Sequence, residues 1–127
     1  MVGALSVPSM DPGYFILYIA TTGNNIERAE KEFLNQVLRL NKDGLSEEEL
    51  ISAKSELIGS QLIALETPRG LAYQSALDEL YGLGYDDYLR FADTINSLTN
   101  QDIIAVSQGY LKPDNYALVV VEGRDSD

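Results

Sequence analysis

The stretch Gly44-Leu45-Ser46-Glu47-Glu48-Glu49-Leu50, running on through Ala53-Lys54 to Leu57-Ile58-Gly59, is a complete helix-start signal. Ser46 stands where its side chain caps the backbone N–H of Glu49, while the Glu49 carboxylate reaches back to the N–H of Ser46. Leu45 and Leu50 occupy the positions of a hydrophobic staple over that cap. Three glutamates in the first turn also complement the positive end of the helix dipole. This grammar accounts for the acids as capping and solvating groups, so any functional meaning has to come from what surrounds them.

Upstream, Ile26, Ala29, Phe33, Val37 and Leu40 recur at helical spacing over residues 25–42, with Leu34 and Leu38 widening the stripe. Glu27 with Lys31 and Arg28 with Glu32 are i,i+4 pairs on the wet side, and Asp43-Gly44 closes the helix. Before it, residues 14–21 form a nearly continuous apolar run with aromatic and β-branched side chains, as in a central strand. Asp11-Pro12-Gly13 is a turn, so residues 5–21 read as a hairpin whose first strand lies within residues 2–10. Downstream, Thr67 as N-cap with Pro68 at the first helical position starts a third helix. It runs to Gly82-Leu83-Gly84. A short helix over residues 86–96 follows, and Thr99 with Asp102 starts another. Pro113-Asp114-Asn115 is a turn, and residues 116–121 are a buried-type strand whose only available partner is the hairpin.

The order strand, strand, helices, strand implies an α+β, two-layer fold: a small antiparallel or mixed sheet of three strands, with helices packed on one face. Such a sheet keeps at least one open edge. Residues 1–122 read as a single domain, a fragment of a larger half-domain, with residues 123–127 as a flexible tail.

With 127 residues, 45% hydrophobic and 23% charged, the composition is that of a globular domain. No apolar run approaches the roughly 20 residues of a membrane span, and the N-terminus lacks the basic segment of a secretory signal. The net charge is −11, and residues 45–102 carry eleven acids against Lys54, Arg69 and Arg90, a local balance of −8. A surface this acidic repels phosphate backbones, so no nucleic-acid partner is expected. There is no Cys and no His. That removes thiolate nucleophiles, imidazole bases, Ser-His-Asp triads and ordinary zinc sites from this chain.

No residue qualifies as catalytic, cofactor-binding or metal-ligating. Glu47–Glu49 and Asp86-Asp87 are the densest acid clusters, but neither has calcium-loop spacing, and adjacent carboxylates on a helix diverge. Gly82-Leu83-Gly84 follows a helix instead of preceding one, so it is a helix end and not a phosphate-cradling loop. Tyr73, Tyr81, Tyr85 and Tyr88 cluster around the third helix and its exit. They read first as packing, ring in and hydroxyl out, and second as a wall facing a peptide or a partner.

Taken in order, these motifs resemble the C-terminal half-domain of the pitrilysin/insulinase-type zinc peptidases, the inverzincin group. The resemblance lies in the strand Gly13-Tyr14-Phe15-Ile16-Leu17-Tyr18-Ile19, the Gly44–Leu50 helix start with Ala53-Lys54, and the helix end Glu79-Leu80-Tyr81-Gly82-Leu83-Gly84. Leu98-Thr99 with Asp102-Ile103, and Tyr110-Leu111-Lys112-Pro113-Asp114, complete it. It implies a fold like a truncated mitochondrial-processing-peptidase-type metallohydrolase domain. Family catalysis uses an H-x-x-E-H helix whose His residues and a downstream Glu hold zinc; that helix belongs to the other half.

The resemblance therefore implies an inactive portion that pairs with a catalytic half-domain, of the same or a partner chain, to form a chamber around peptide substrate. Zinc is expected in the catalytic half of a metalloendopeptidase parent and no cofactor in this chain. The open sheet edge invites self-association. In the family an Arg and a Tyr in a segment like R-G-L-A-Y precede the hairpin. Arg69-Gly70-Leu71-Ala72-Tyr73 spells that string inside the third helix, so the role is not carried over, and the chain starts just after the expected position. The alternatives are a structural or assembly subunit of the same fold in an inactive parent, and an unrelated acidic α+β binding module.

Overall fold

The computed structural model describes residues 1–7 and 13–121. Strands β1 (Val2–Val7) and β2 (Tyr14–Ile19) pair antiparallel, with Val2 opposite Ile19 and Val7 opposite Tyr14. Five helices follow: α1 (Ile26–Asp43), α2 (Glu47–Leu65), α3 (Pro68–Leu80), α4 (Phe91–Ser97) and α5 (Asn100–Tyr110). The class is α+β. Asp11 and Pro12 of the expected turn, and the tail from residue 123, lie outside the described residues. The chain divides into two compact units, Met1–Asp43 with Ile104–Asp127, and Gly44–Ile103.

In the first unit, Tyr18 lies across its cross-strand partner Gly3, where a Cβ would fall within 2.4 Å of the tyrosine oxygen. The ring of Phe15 meets that of Tyr110 edge-on, centroids 6.4 Å apart, bringing the end of α5 to one face of the hairpin. The ends of α1 and α5 are tied by amide bonds: Asn41 Nδ2 donates to the Leu111 carbonyl at 3.0 Å, and Gln108 Nε2 to the Asn41 carbonyl at 2.7 Å. The stripe of Ile26, Ala29, Phe33, Val37 and Leu40 is half-buried, whereas Leu38 is exposed. Neither expected i,i+4 ion pair on α1 closes; Glu32 instead accepts from Gln36 Nε2 at 3.1 Å.

Two expectations are corrected. The third strand does not form: residues 116–121 are exposed and outside the two-stranded sheet. A β conformation is stabilised by ladder bonds and cross-strand packing, and here the segment is held elsewhere, because Tyr116 Oη donates to Glu30 Oε1 of α1 at 2.6 Å. The helix expected over residues 86–96 is broken at Arg90. The Arg90 N–H bonds the Asp87 carbonyl at 2.9 Å, closing a 3-10 turn at Asp87–Leu89, and α4 starts afresh at Phe91.

No hydrophobic side chain among the described residues is fully buried. The apolar residues that the periodicity selects are half-buried at best, and the side chains of β2 are between 40% and 58% exposed on both faces.

Candidate functional site

The motifs of the second unit assemble into one bonded node. At its centre the capping box is complete. The Glu49 N–H donates to Ser46 Oγ at 3.2 Å and the Ser46 N–H donates to Glu49 Oε2 at 2.8 Å. Gly44, immediately before it, has φ +70°, a conformation that favours glycine. A Cβ there would also fall 2.2 Å from Asn100 Oδ1. That same oxygen accepts the Leu45 N–H at 2.7 Å, so glycine lets the chain turn against the Asn100 side chain.

Lys54, the single cation of α2, sits two turns along the helix. Its Nζ donates to the carbonyls of Asn96 at 2.8 Å and Leu98 at 2.6 Å. These carbonyls lie at and just past the C-terminus of α4, where helix ends leave acceptors unsatisfied and a cation is favoured. Next in the chain, Thr99 and Asp102 form a second box at the start of α5. Asp102 Oδ2 accepts from the Thr99 N–H at 2.8 Å and its hydroxyl at 2.6 Å. These bonds hold the Asp102 carboxyl below the usual carboxylate range, the hydroxyl contributing most and the backbone N–H next. The segment 44–54 is thus locked to the segment 96–102 through Gly44, Leu45, Lys54 and Asn100.

The Gly82-Leu83-Gly84 end of α3 is a Schellman closure. The Gly82 N–H bonds the Glu79 carbonyl at 3.0 Å and the Leu83 N–H bonds the Asp78 carbonyl at 2.9 Å, with Gly82 at φ +76°. Asp78 is 4% exposed; its Oδ1 accepts from Gln74 Nε2 at 2.8 Å, and its Oδ2 has no hydrogen-bond partner.

One member of each acid cluster has a structural role. Glu49 belongs to the cap, and Asp87 pairs with Arg90 at 2.7 Å. The Asp87 hydrogen bond, reinforced by its charge, holds the Arg90 guanidinium above its ordinary value. Among the described residues no group of three or more acids is arranged to hold a metal ion, and no helix is long and apolar enough to cross a membrane.

The string Arg69-Gly70-Leu71-Ala72-Tyr73 lies in the first turns of α3, as expected. Its glycine has a local cause: a Cβ on Gly70 would fall 1.9 Å from the Ala64 carbonyl oxygen. Thr67, Arg69, Gly70 and Tyr73 line an open crevice of about 290 Å³. Tyr73 and Tyr85 do not bury their rings as the packing reading requires, being 66% and 68% exposed, whereas Tyr88 is half-buried. Tyr85 follows the helix closure on an exposed turn.

Sequence reasoning passed over Lys54 and Asn100 as actors. Lys54 carried a signal, being the one cation on an acidic and apolar helix. Asn100 carried none.

Residues 2–57 match the family model of the Peptidase M16 inactive domain. No curated protein and no solved structure matches the chain significantly. The matched stretch runs from the hairpin through α1 and the capping box into α2, including Gly44, Ser46, Glu49 and Lys54. Residues beyond 57 lie outside it. The match covers less than half of the chain, and it likens the hairpin, α1 and the start of α2 to that inactive domain.

Proposed function

We propose that this chain is the non-catalytic C-terminal portion of a pitrilysin/insulinase-type zinc peptidase, helping to form a chamber that encloses peptide substrate. The observation that carries the reading is the match of residues 2–57 to the inactive domain of that family. The composition supports it, because a chain without His or Cys has none of the side chains that make an ordinary zinc site. The catalytic half, of the same or a partner chain, supplies the zinc and the general base. This half supplies surface, held in shape by the node around Ser46 and Lys54. The exposed hairpin edge remains open to a further strand.

The test uses the purified chain with and without a catalytic half that bears an H-x-x-E-H helix. Alone, the chain holds no stoichiometric zinc by elemental analysis and leaves an unstructured peptide intact. Added to the catalytic half, it raises the rate of peptide hydrolysis. Stoichiometric zinc retained by this chain alone would sink the reading, as would a catalytic half indifferent to its presence.

A further inference from the structure

The free edge of β2 has a chemistry that selects one kind of partner. The Ala20 N–H bonds the Met1 carbonyl at 2.8 Å, which makes Met1 and Ala20 a hydrogen-bonded pair of the ladder. Pairs alternate along an antiparallel ladder, so Gly3–Tyr18, Leu5–Ile16 and Val7–Tyr14 are also bonded. Phe15, Leu17 and Ile19 lie between them and turn their N–H and C=O groups away from β1. No described residue bonds to those groups. An edge left this way is a template for another strand.

We infer that the occupant of this edge is β2 of a second copy of the chain, paired antiparallel about a two-fold axis at Leu17. Three observations select it. The first is self-complementarity. With Leu17 opposite Leu17 of the second copy, Phe15 falls opposite Ile19 and Ile16 opposite Tyr18, aromatic against β-branched on both faces, the favoured cross-strand pairing. The same register makes the three outward residues bonded pairs, with two hydrogen bonds to each pair.

The second observation is charge. The chain carries −11, yet residues 13–26 hold no charged side chain, so two copies meet here without placing like charges opposite one another. The third is what a sheet needs. A two-stranded hairpin is marginal in water, and among the described residues this one is met by a helix end only through Phe15 and Tyr110, so further strands add to its stability. The order β1-β2-β2-β1 supplies four. The edge of β1 is the poorer candidate, since Gly3, Ala4 and Ser6 offer little to pack. The inference rests on the hairpin alone, so a chain that proved monomeric would leave the peptidase reading standing.

Sedimentation equilibrium of the full chain over about 1–100 μM tests it, with circular dichroism to check folding. The unmodified chain is expected to form a concentration-dependent dimer that tightens as salt is added, because screening relieves the repulsion between acidic copies. Leu17→Lys places like charges directly opposite each other and weakens the dimer at least tenfold. Leu17→Pro removes an outward donor without touching a ladder bond within the hairpin and does the same. Ala4→Lys, on the other edge, leaves the dimer intact. A strict monomer throughout the range, a Leu17→Lys chain that dimerises as tightly as the unmodified one, or loss of the dimer in Ala4→Lys overturns the inference. If Leu17→Pro unfolds the hairpin, Leu17→Lys alone decides.

Discussion

The unit Gly44–Ile103 and the β1–β2 hairpin are built by opposite means. In the first, side chains close bonds onto backbone groups at helix ends and turns, as Ser46, Lys54, Asn100 and Asp102 each do. In the second, the ladder is complete within the pair, but the apolar side chains of β2 stay exposed on both faces. Local polar bonds can be completed by the chain itself. Burial of an apolar sheet face requires another layer. Substitutions in the node should therefore cost stability, and substitutions on the hairpin should cost little until a partner covers it.

The largest effect is expected at Gly70. A Cβ there meets a backbone oxygen, which cannot swing aside, so Gly70→Ala has to separate the end of α2 from the start of α3. Overpacking of this kind costs about 2–3 kcal/mol. Urea denaturation followed by circular dichroism should show a lower midpoint with an unchanged slope. A variant as stable as the parent would mean that the connection is loose. Lys54→Met comes next. It keeps the aliphatic stem but strips the carbonyls of Asn96 and Leu98 of their donor. The loss is about 2 kcal/mol, the range for hydrogen bonds to a charged group, read from the same curve. Lys54→Arg should recover only part of it, since a planar fork does not reproduce the geometry of an ammonium between two carbonyls.

Ser46→Ala removes one half of the capping box and should cost about 1 kcal/mol. Amide exchange should localise the damage, with the Glu49 N–H losing protection first. Against these, Tyr14→Thr on the hairpin should change stability by no more than about 0.5 kcal/mol in dilute protein, as for an exposed strand position. A larger loss there would show that β2 is already covered and would erase the contrast.

The contrast also explains what the sequence made legible. The boxes at Ser46–Glu49 and Thr99–Asp102, and the closure at Gly82, are written in residues three to five apart, so reading along the chain finds them. The partners of Lys54 are 42 and 44 residues away, and Asn100 meets Leu45 across 55; no local pattern encodes those meetings. Residues 116–121 fail in the opposite direction. Their composition is that of a strand, but a strand exists only where a neighbour offers a ladder, and Tyr116 is bonded to a helix instead.

The smallest expected effects are pH-dependent, and they separate the two units at opposite ends of the scale. The Asp102 carboxyl is held low by the Thr99 hydroxyl and N–H. Its contribution is therefore complete above the ordinary Asp value of about 3.9 and is lost as pH falls through the lower, folded value. The hydroxyl of Tyr116 is held above its ordinary value of 10.0, chiefly because it donates to the Glu30 carboxylate, with partial desolvation adding to it. Its contribution is complete below that value and disappears as pH rises through the raised one. Acid should thus fray the start of α5 in the second unit, and alkali should release residue 116 from α1 in the first. Asp102→Asn keeps an acceptor that does not titrate in this range, and should abolish the acid limb while leaving the alkaline one. Tyr116→Phe should do the reverse. Both limbs can be followed by the amide signals of Asp102 and Tyr116, and a single variant that removed both would show that the two units titrate as one.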